Sequence, residues 1–542
     1  MSLYEKVFVE RQKYMAGYPY LETVVYHNFY EMLKGVYDKT PDEIALRFRE
    51  KEEIIDISYT RLVEEVGSVY GFLKNKKMQG RIIGIVSENR YEYIPLYLGT
   101  SFENVIAPID KESVPEDFGK QIRDFDVEMI FYTEKTRHLV EQFEYDDKIV
   151  CINIDDDYKE ITTKKPVISD FFEQVKDVDS DKLSVLAFTS GTTGALKGAM
   201  LSQRNVTATL RGALQNNVLK SPSLAVLPMN HTYGFNPGIL CTLYNGGTLC
   251  LTMNIKHFQR DLKEYNPYFV SLVPMVVEGM YNKIWAEAKR MGKDKLLRRM
   301  IKLSNFLLKF KIDIRKKAFG NLLNPELNFI SFCGAHLNPA YVDRYRELGI
   351  YLLNGYGLTE CAPLVCINRE FDMDVNSVGT VTKEVDAKIA EDGEILIKGP
   401  NVMLGYYKNP EATKETMTDG YFKTGDYGYL VERRLYVTGR KKNLIILDNG
   451  KNVSPEVLEA KLNALDWVKE CLVIVGKVQN RRVLKALIYS EESPSEERIR
   501  KDIEAINGSV PEYMQILDYK MMDTEFEKNS TKKILRNRYE EN

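Results

Sequence analysis

No run of about twenty apolar residues occurs anywhere in the chain, so no segment is read as spanning a membrane. Disulfide patterning is missing too. Seven cysteines are scattered through 542 residues, none in a Cys-x-x-Cys pair, and their number is odd. Such usage suits reduced thiols in a cytosolic protein. Cys361 and Cys366 are the closest pair, and no His-rich stretch accompanies them to make a zinc site. A surplus of one charge is also lacking: the net charge is −3, which does not suit a nucleic-acid binder. The opening stretch "MSLYEKVFVERQKYMAG" mixes acids with bases and has no apolar core, so neither a signal peptide nor a transit peptide is expected. What remains is ordinary globular composition, 44% hydrophobic and 28% charged, in a chain too long for one core.

Through the first two-thirds, short apolar runs alternate with amphipathic stretches. "RIIGIVSENR" (81–90) reads as a strand ending in a loop and "YIPLYLGTSF" as the helix after it. "NVIAPID" (104–110), "LSVLAF" (183–188), "LAVLPM" (224–229) and "NFISFC" (328–333) read as further strands. The alternation predicts α/β architecture with parallel sheets, and loops after such strands lie where ligands bind. After about residue 375 the pattern changes to alternating strands between Gly-containing turns, as in "DGEILIKGP" and "RLYVTGR". From residue 444 a new set of elements begins, with a helix opened by Ser454 and Pro455 as cap and first residue. The boundary is placed near "GRKKN" (439–443), giving domains 1–440 and 441–542. Segment 281–317 is rich in Lys and Arg. Its Leu297, Met300, Ile301, Ser304, Leu307 and Leu308 fall at three-and-four spacing, which predicts an amphipathic helix.

Residues 189–198, "TSGTTGALKG", follow a buried strand. Gly191 and Gly194 let backbone N–H groups converge. Thr189, Ser190, Thr192 and Thr193 add hydroxyls, and Lys197 adds a cation. The set suits a polyphosphate, although a Ser/Thr/Gly surface turn has the same composition. It is not a Walker loop, because only two residues separate the glycines and the lysine comes late.

Three more motifs follow in order: "LLNGYGLTE" (352–360), "YFKTGDYGYL" (421–430) and "GRKKNLIILDNGKNVSPEVLE" (439–459). With these the chain resembles, over essentially its full length, the adenylate-forming superfamily of acyl-CoA synthetases, luciferases and peptide-synthetase adenylation domains. The fold implied is a large N-terminal domain of doubly wound α/β subdomains plus a small β-barrel, with a small mobile α+β C-terminal domain. The resemblance makes loop 189–198 a pyrophosphate-binding loop, with Leu196 where that family usually has proline. It implies Tyr356 on adenine, Gly357 beside it, Thr359 on phosphate, Glu360 on Mg²⁺ and Asp426 on the ribose hydroxyls. Arg440 supports the same nucleotide and Lys442 is the hinge. His231, in "LPMNHTYGF", matches a position beside the acyl carboxylate, and Gly334 and Ala335 a segment contacting adenine and acyl group. In "NSTKKILRNR" (529–538), Lys533 aligns with the catalytic lysine and Lys532 takes the usual glycine position.

The resemblance thus implies a ligase using ATP and Mg²⁺ to make an acyl-AMP, then an acyl thioester with CoA or the phosphopantetheine of a carrier protein. "YGLTE" where amino-acid adenylation domains favour "YGPTE", and Phe235 in the pocket segment, suit an apolar pocket for a fatty acid, and the basic stretch 281–317 and "GRKKN…GKNVSPEVLE" resemble long-chain fatty acyl-CoA synthetases. An aryl or other carboxylic acid, or a degenerate member that only binds nucleotide or acyl chain, are the alternatives. A cytoplasmic protein touching the inner membrane face through 281–317 is expected, since cationic amphipathic helices adsorb to anionic surfaces.

Overall fold

The computed structural model describes residues 20–143, 146–190, 196–334, 337–370, 373–447, 451–478, 481–528 and 534–539. Strand Ile82–Val86 lies within a seven-stranded sheet, parallel to Val105–Pro108 on one side and Val127–Tyr132 on the other. All five of its residues are buried, which is why it reads as one unbroken apolar run. Beyond Val105–Pro108 the sheet continues through Leu183–Ser190, Leu196–Ser202 and Gly405–Tyr406. A second sheet has a parallel centre of Leu249–Leu251, Ser223–Ala225, Phe269–Leu272, Phe329–Phe332 and Tyr351–Tyr356.

Helix Gln203–Asn216 contacts strands of both sheets, and thirteen of its residues are buried. A reciprocal cap opens it. The Ser202 hydroxyl accepts from the Asn205 N–H at 3.1 Å, and the Asn205 side chain accepts from the Ser202 N–H at 2.8 Å.

The expected small barrel is not formed as a closed unit. Gly355 and Tyr356 pair with Ile367 and Cys366, which splices an antiparallel ladder directly onto the parallel sheet. The path then runs open through Gly379–Val381, Arg434–Arg440, Tyr421–Val431 and Glu394–Lys398 to Asp386–Ile389, and among the described residues no ladder closes it.

Near the C-terminus, Glu470–Val478 pairs antiparallel with Arg481–Tyr489, which pairs parallel with Ile516–Met522. Helices Pro455–Leu462 and Glu496–Asn507 pack on this sheet around Leu458, Trp467, Val473 and Ile503. Ser454 stands at the expected cap position but makes no side-chain cap bond; it lies against Gly439 instead. Segment 281–317 is not one helix. It divides among Pro274–Arg290, Asp294–Leu308 and Arg315–Phe319, the first break falling where Gly292 adopts φ +67° and ends the helix in the left-handed region. No helix among the described residues is long and apolar enough to cross a membrane. None of the seven cysteines, all among the described residues, forms a disulfide.

Candidate active site

Asp426 lies in strand Tyr421–Val431, directly across from Arg440. The Arg440 Nε donates to its Oδ1 at 2.9 Å and the Tyr356 hydroxyl donates to its Oδ2 at 2.8 Å. Tyr356 reaches it from the end of the parallel strand Tyr351–Tyr356. Asp426 is buried, and a lone charge there would cost several kcal/mol; the guanidinium and phenol offset that cost. Burial first, then the Asp426 charge, holds the Tyr356 phenol well above its ordinary pKa.

Two supports of this corner were not singled out by sequence reasoning. Glu394 accepts from the Gly425 N–H at 2.9 Å and from Lys441 Nζ at 2.8 Å, and Lys441 also donates to Asp392 at 2.8 Å. Lys441 is thereby fixed between two carboxylates at the start of the turn Lys441–Asn443, which also carries Lys442. Burial, then the neighbouring Arg440, lowers the Lys442 pKa from its ordinary value.

A second cluster joins residues far apart in the chain. Lys197 is the second residue of strand Leu196–Ser202, paired with Thr189 of the antiparallel strand Leu183–Ser190. Its Nζ lies 4.9 Å from the centre of the Tyr406 ring. The Tyr406 hydroxyl donates to Glu360 Oε1 at 2.8 Å. Tyr406 is brought there because Gly405–Tyr406 pairs with Ala199 and Met200. Tyr406 carried no signal in the sequence; "GYY" at 405–407 is unremarkable. Glu360 is itself buried, and its carbonyl accepts from the Met403 N–H at 2.8 Å.

Gly357 and Thr359 link the two clusters. A Cβ at Gly357 would stand 1.6 Å from the Pro363 carbonyl oxygen, so no side chain fits. Thr359 starts the tight turn Thr359–Cys361 that delivers Glu360. Ser190 ends its strand opposite Leu196. Gly191, Thr192, Thr193, Gly194, Ala335, Lys532 and Lys533 lie outside the described residues.

His231 precedes the short helix Thr232–Phe235 and is half-buried, its N–H donating to the Pro228 carbonyl at 3.3 Å. Gly334 follows strand Phe329–Phe332 and has open space where a side chain would stand. Beneath this end of the sheet is a narrow cavity of about 20 Å³, lined by Tyr233, Pro237, Cys241, Phe269, Phe329 and Ser331 among others. Its wall has a polar row: the Tyr233 hydroxyl is 2.9 Å from Ser331 Oγ, which is 2.9 Å from Ser271 Oγ. Phe235, which lies in the pocket segment, does not line this small cavity. It is buried in the core with its ring centre 4.1 Å from Tyr97 and 5.6 Å from Tyr93.

Among the described residues no three His, Cys, Asp or Glu side chains converge as a metal cage. A single buried carboxylate such as Glu360 still fits Mg²⁺, which keeps most of its waters and takes phosphate oxygens beside one or two carboxylates.

Comparison with known proteins bears on the family and the fold. The model of the family described as AMP-binding enzyme matches residues 34–407, and that of the AMP-binding enzyme C-terminal domain matches 442–542. A long-chain-fatty-acid–CoA ligase, FadD15 of Mycobacterium bovis, is 32% identical over 314 residues, covering 54% of this chain and 52% of that one. A chloroplastic long-chain-fatty-acid–[acyl-carrier-protein] ligase of Arabidopsis thaliana, AEE15, is 28% identical over 379 residues, covering 57% and 51%. The chain thus spans about half the length of these curated relatives. Among solved structures, an anthranilate CoA ligase with anthranoyl-AMP superposes with a TM-score of 0.78 at 18% identity, covering 95% of this chain and 97% of that one. The o-succinylbenzoate CoA synthetase of Bacillus subtilis, with its acyl-adenylate, gives 0.74 at 19%, covering 94% and 97%. At such identities these structures speak for the fold alone, a large N-terminal α/β unit followed by a small one. The chain belongs to the AMP-binding enzyme family.

Proposed function

We propose that the protein is an AMP-forming fatty acid ligase. The observation that carries the reading is Asp426, a buried carboxylate held by Tyr356 and Arg440 at the end of the parallel strand Tyr351–Tyr356, the place where ligands bind in such sheets. Lys197 and Glu360 lie together on Tyr406, a cation and an anion suited to phosphates and Mg²⁺ respectively. In the first step a carboxylate oxygen of the fatty acid forms a bond to the α-phosphorus of ATP, and the bond to pyrophosphate breaks. In the second, a thiol sulfur attacks the acyl carbonyl carbon, AMP leaves with the bonding pair, and the thiol proton passes to solvent. Asp426 would hold the ribose through both steps, and Thr189, Ser190, Gly191, Thr192, Thr193 and Gly194 would hold the phosphates. Lys533, His231 and Lys197 act at the reacting groups, Glu360 binds Mg²⁺, and Lys442 is the pivot between a domain of residues 1–440 and one of 441–542. Mg²⁺ supplies charge neutralisation at the phosphates.

The acceptor is CoA or a carrier-protein phosphopantetheine; the relatives named for each support both. A cytoplasmic setting with membrane contact through 281–317 completes the reading. The second reading, an aryl or other short acid, draws on the narrow cavity beside Tyr233 and Ser331. A volume of about 20 Å³ holds roughly one water, so a long chain requires the lining to move. Acid-dependent pyrophosphate exchange across a series of chain lengths tests the proposal. Each buried methylene is worth about 0.8 kcal/mol, so exchange should rise with chain length and then level off. A flat series, or a preference for aryl acids, would favour the second reading; no exchange with any acid would leave only a nucleotide- or acyl-binding protein.

A further inference from the structure

Helix Asp294–Leu308 has two apolar faces. Leu297, Ile301 and Ser304 are buried against the large domain, as the sequence spacing predicts. Leu296, Leu303 and Phe306, each 53% exposed, form the other. At about 100° per residue these three share an arc of about 80°, and the buried trio points roughly the opposite way. Phe310, 61% exposed, extends the ridge, its ring centre 5.2 Å from that of Phe306. Large exposed apolar side chains are unremarkable singly, but three on one helix with a fourth just past its end mark a contact surface.

Charge says what the contact is. Residues 281–317 contain thirteen Lys and Arg against three Asp and Glu, in a chain whose net charge is −3. Lys295, Arg299 and Lys302, exposed on the same helix, border the ridge, and exposed Lys309 and Lys311 flank Phe310. Two copies meeting through this face would oppose like charges, which disfavours self-association. An apolar ridge with a cationic border complements an anionic bilayer, whose phosphates attract the bases while its acyl boundary takes the side chains.

We propose that this ridge docks the protein on an anionic phospholipid surface. Leu296, Leu303, Phe306 and Phe310 enter the acyl boundary, and Lys295, Arg299, Lys302 and Lys309 rest among the headgroup phosphates. The contact is insertion and not charge adsorption alone, and it uses the face opposite to the stripe that the sequence spacing picks out. It also goes beyond the ligase reading, since docking is measured without turnover.

Flotation of the full chain with vesicles tests it. Phosphatidylcholine vesicles are compared with mixed phosphatidylcholine and phosphatidylglycerol vesicles, at low and at moderate salt. The parent should float with the anionic vesicles and not with neutral ones. A variant carrying L303S, F306S and F310S should lose binding about tenfold at either salt. A variant carrying K295Q, R299Q and K302Q should lose most binding at low salt, where charge attraction is strongest. All six positions are exposed, so thermal unfolding should match the parent in both variants. Absence of parent binding to anionic vesicles at low salt would overturn the proposal. So would a serine variant that floats like the parent, which would reduce the contact to charge adsorption. A concentration-dependent dimer, abolished by the serine changes in a protein that does not float, would assign the ridge to a second copy instead. A chain that floats but exchanges no pyrophosphate keeps the docking and sinks only the ligase reading.

Discussion

Tyr406 connects Lys197 to Glu360: the lysine Nζ sits 4.9 Å from its ring centre and its hydroxyl donates to the carboxylate at 2.8 Å. One side chain therefore touches both the proposed phosphate cation and the proposed Mg²⁺ ligand. Burial and the Glu360 charge hold the Tyr406 phenol well above its ordinary pKa, so it stays a donor.

Tyr406→Phe keeps the ring beneath Lys197 and deletes the hydrogen bond. A bond to a charged group is worth about 1.5–3 kcal/mol, so the pyrophosphate exchange rate should fall about tenfold or more, with a raised Mg²⁺ requirement. Tyr406→Ala should fall further. Measuring exchange against Mg²⁺ concentration decides it. Phe and Ala variants with the parent's Mg²⁺ curve would detach Tyr406 from the site.

Gly357→Ala should destabilise the large domain by about 3 kcal/mol or more, since overpacking against backbone cannot relax as a side chain would. The added carbon would stand 1.6 Å from the Pro363 oxygen. Urea unfolding followed by tryptophan and far-ultraviolet signals reads the loss. An unchanged midpoint would mean that the Pro363 segment moves freely.

Much of this was legible in the sequence, and the rest was hidden for identifiable reasons. Ile82–Val86 reads directly because both faces of the strand are buried. Asp426 and Glu360 are found through short motifs. Tyr406, Glu394 and Lys441 were missed because their partners lie far away in the chain: Tyr406 meets Glu360 across 46 residues, and Lys441 meets Glu394 across 47. No local period records such a contact. The join between the parallel sheet and the antiparallel ladder, at the pairing of Gly355 with Ile367, is likewise a splice that no local pattern announces.

Lys316 predicts a pH effect on stability. Its ammonium donates to the Leu327 carbonyl, and burial, aided by the neighbouring Arg315, lowers its pKa to about 8. In the unfolded chain a lysine titrates near 10.4. Between about pH 8 and about pH 10 the unfolded chain therefore binds a proton that the folded chain lacks, and this group makes stability rise with pH. Below that window both states are charged and its contribution is constant. In Lys316→Met the slope due to this group should vanish. Urea midpoints taken across the window for parent and variant give the difference directly; a difference that stays flat, or falls with pH, would show that Lys316 is not held as described.

Lys533→Ala should suppress acyl-AMP formation by about two to three orders of magnitude, because a cation no longer offsets the approach of one anion to another. Thioester formation from supplied acyl-AMP should be largely spared, since AMP leaves a carbonyl and no such repulsion arises. Lys532→Ala is the control on register. If it abolishes adenylation while Lys533→Ala does not, the motif is read one residue out of place. Loss of both half-reactions together in Lys533→Ala would contradict a C-terminal unit that moves between steps.

The central claim is that a carboxylate oxygen attacks the α-phosphorus. A fatty acid with both carboxylate oxygens isotopically heavy, incubated with the protein, ATP, Mg²⁺ and CoA, tests this in one experiment. Mass spectrometry of the nucleotide product should find one heavy oxygen in each AMP and none in the pyrophosphate, with acyl-CoA formed in equal amount. Unlabelled AMP, or heavy oxygen in released phosphate with ADP as the nucleotide product, would contradict the account.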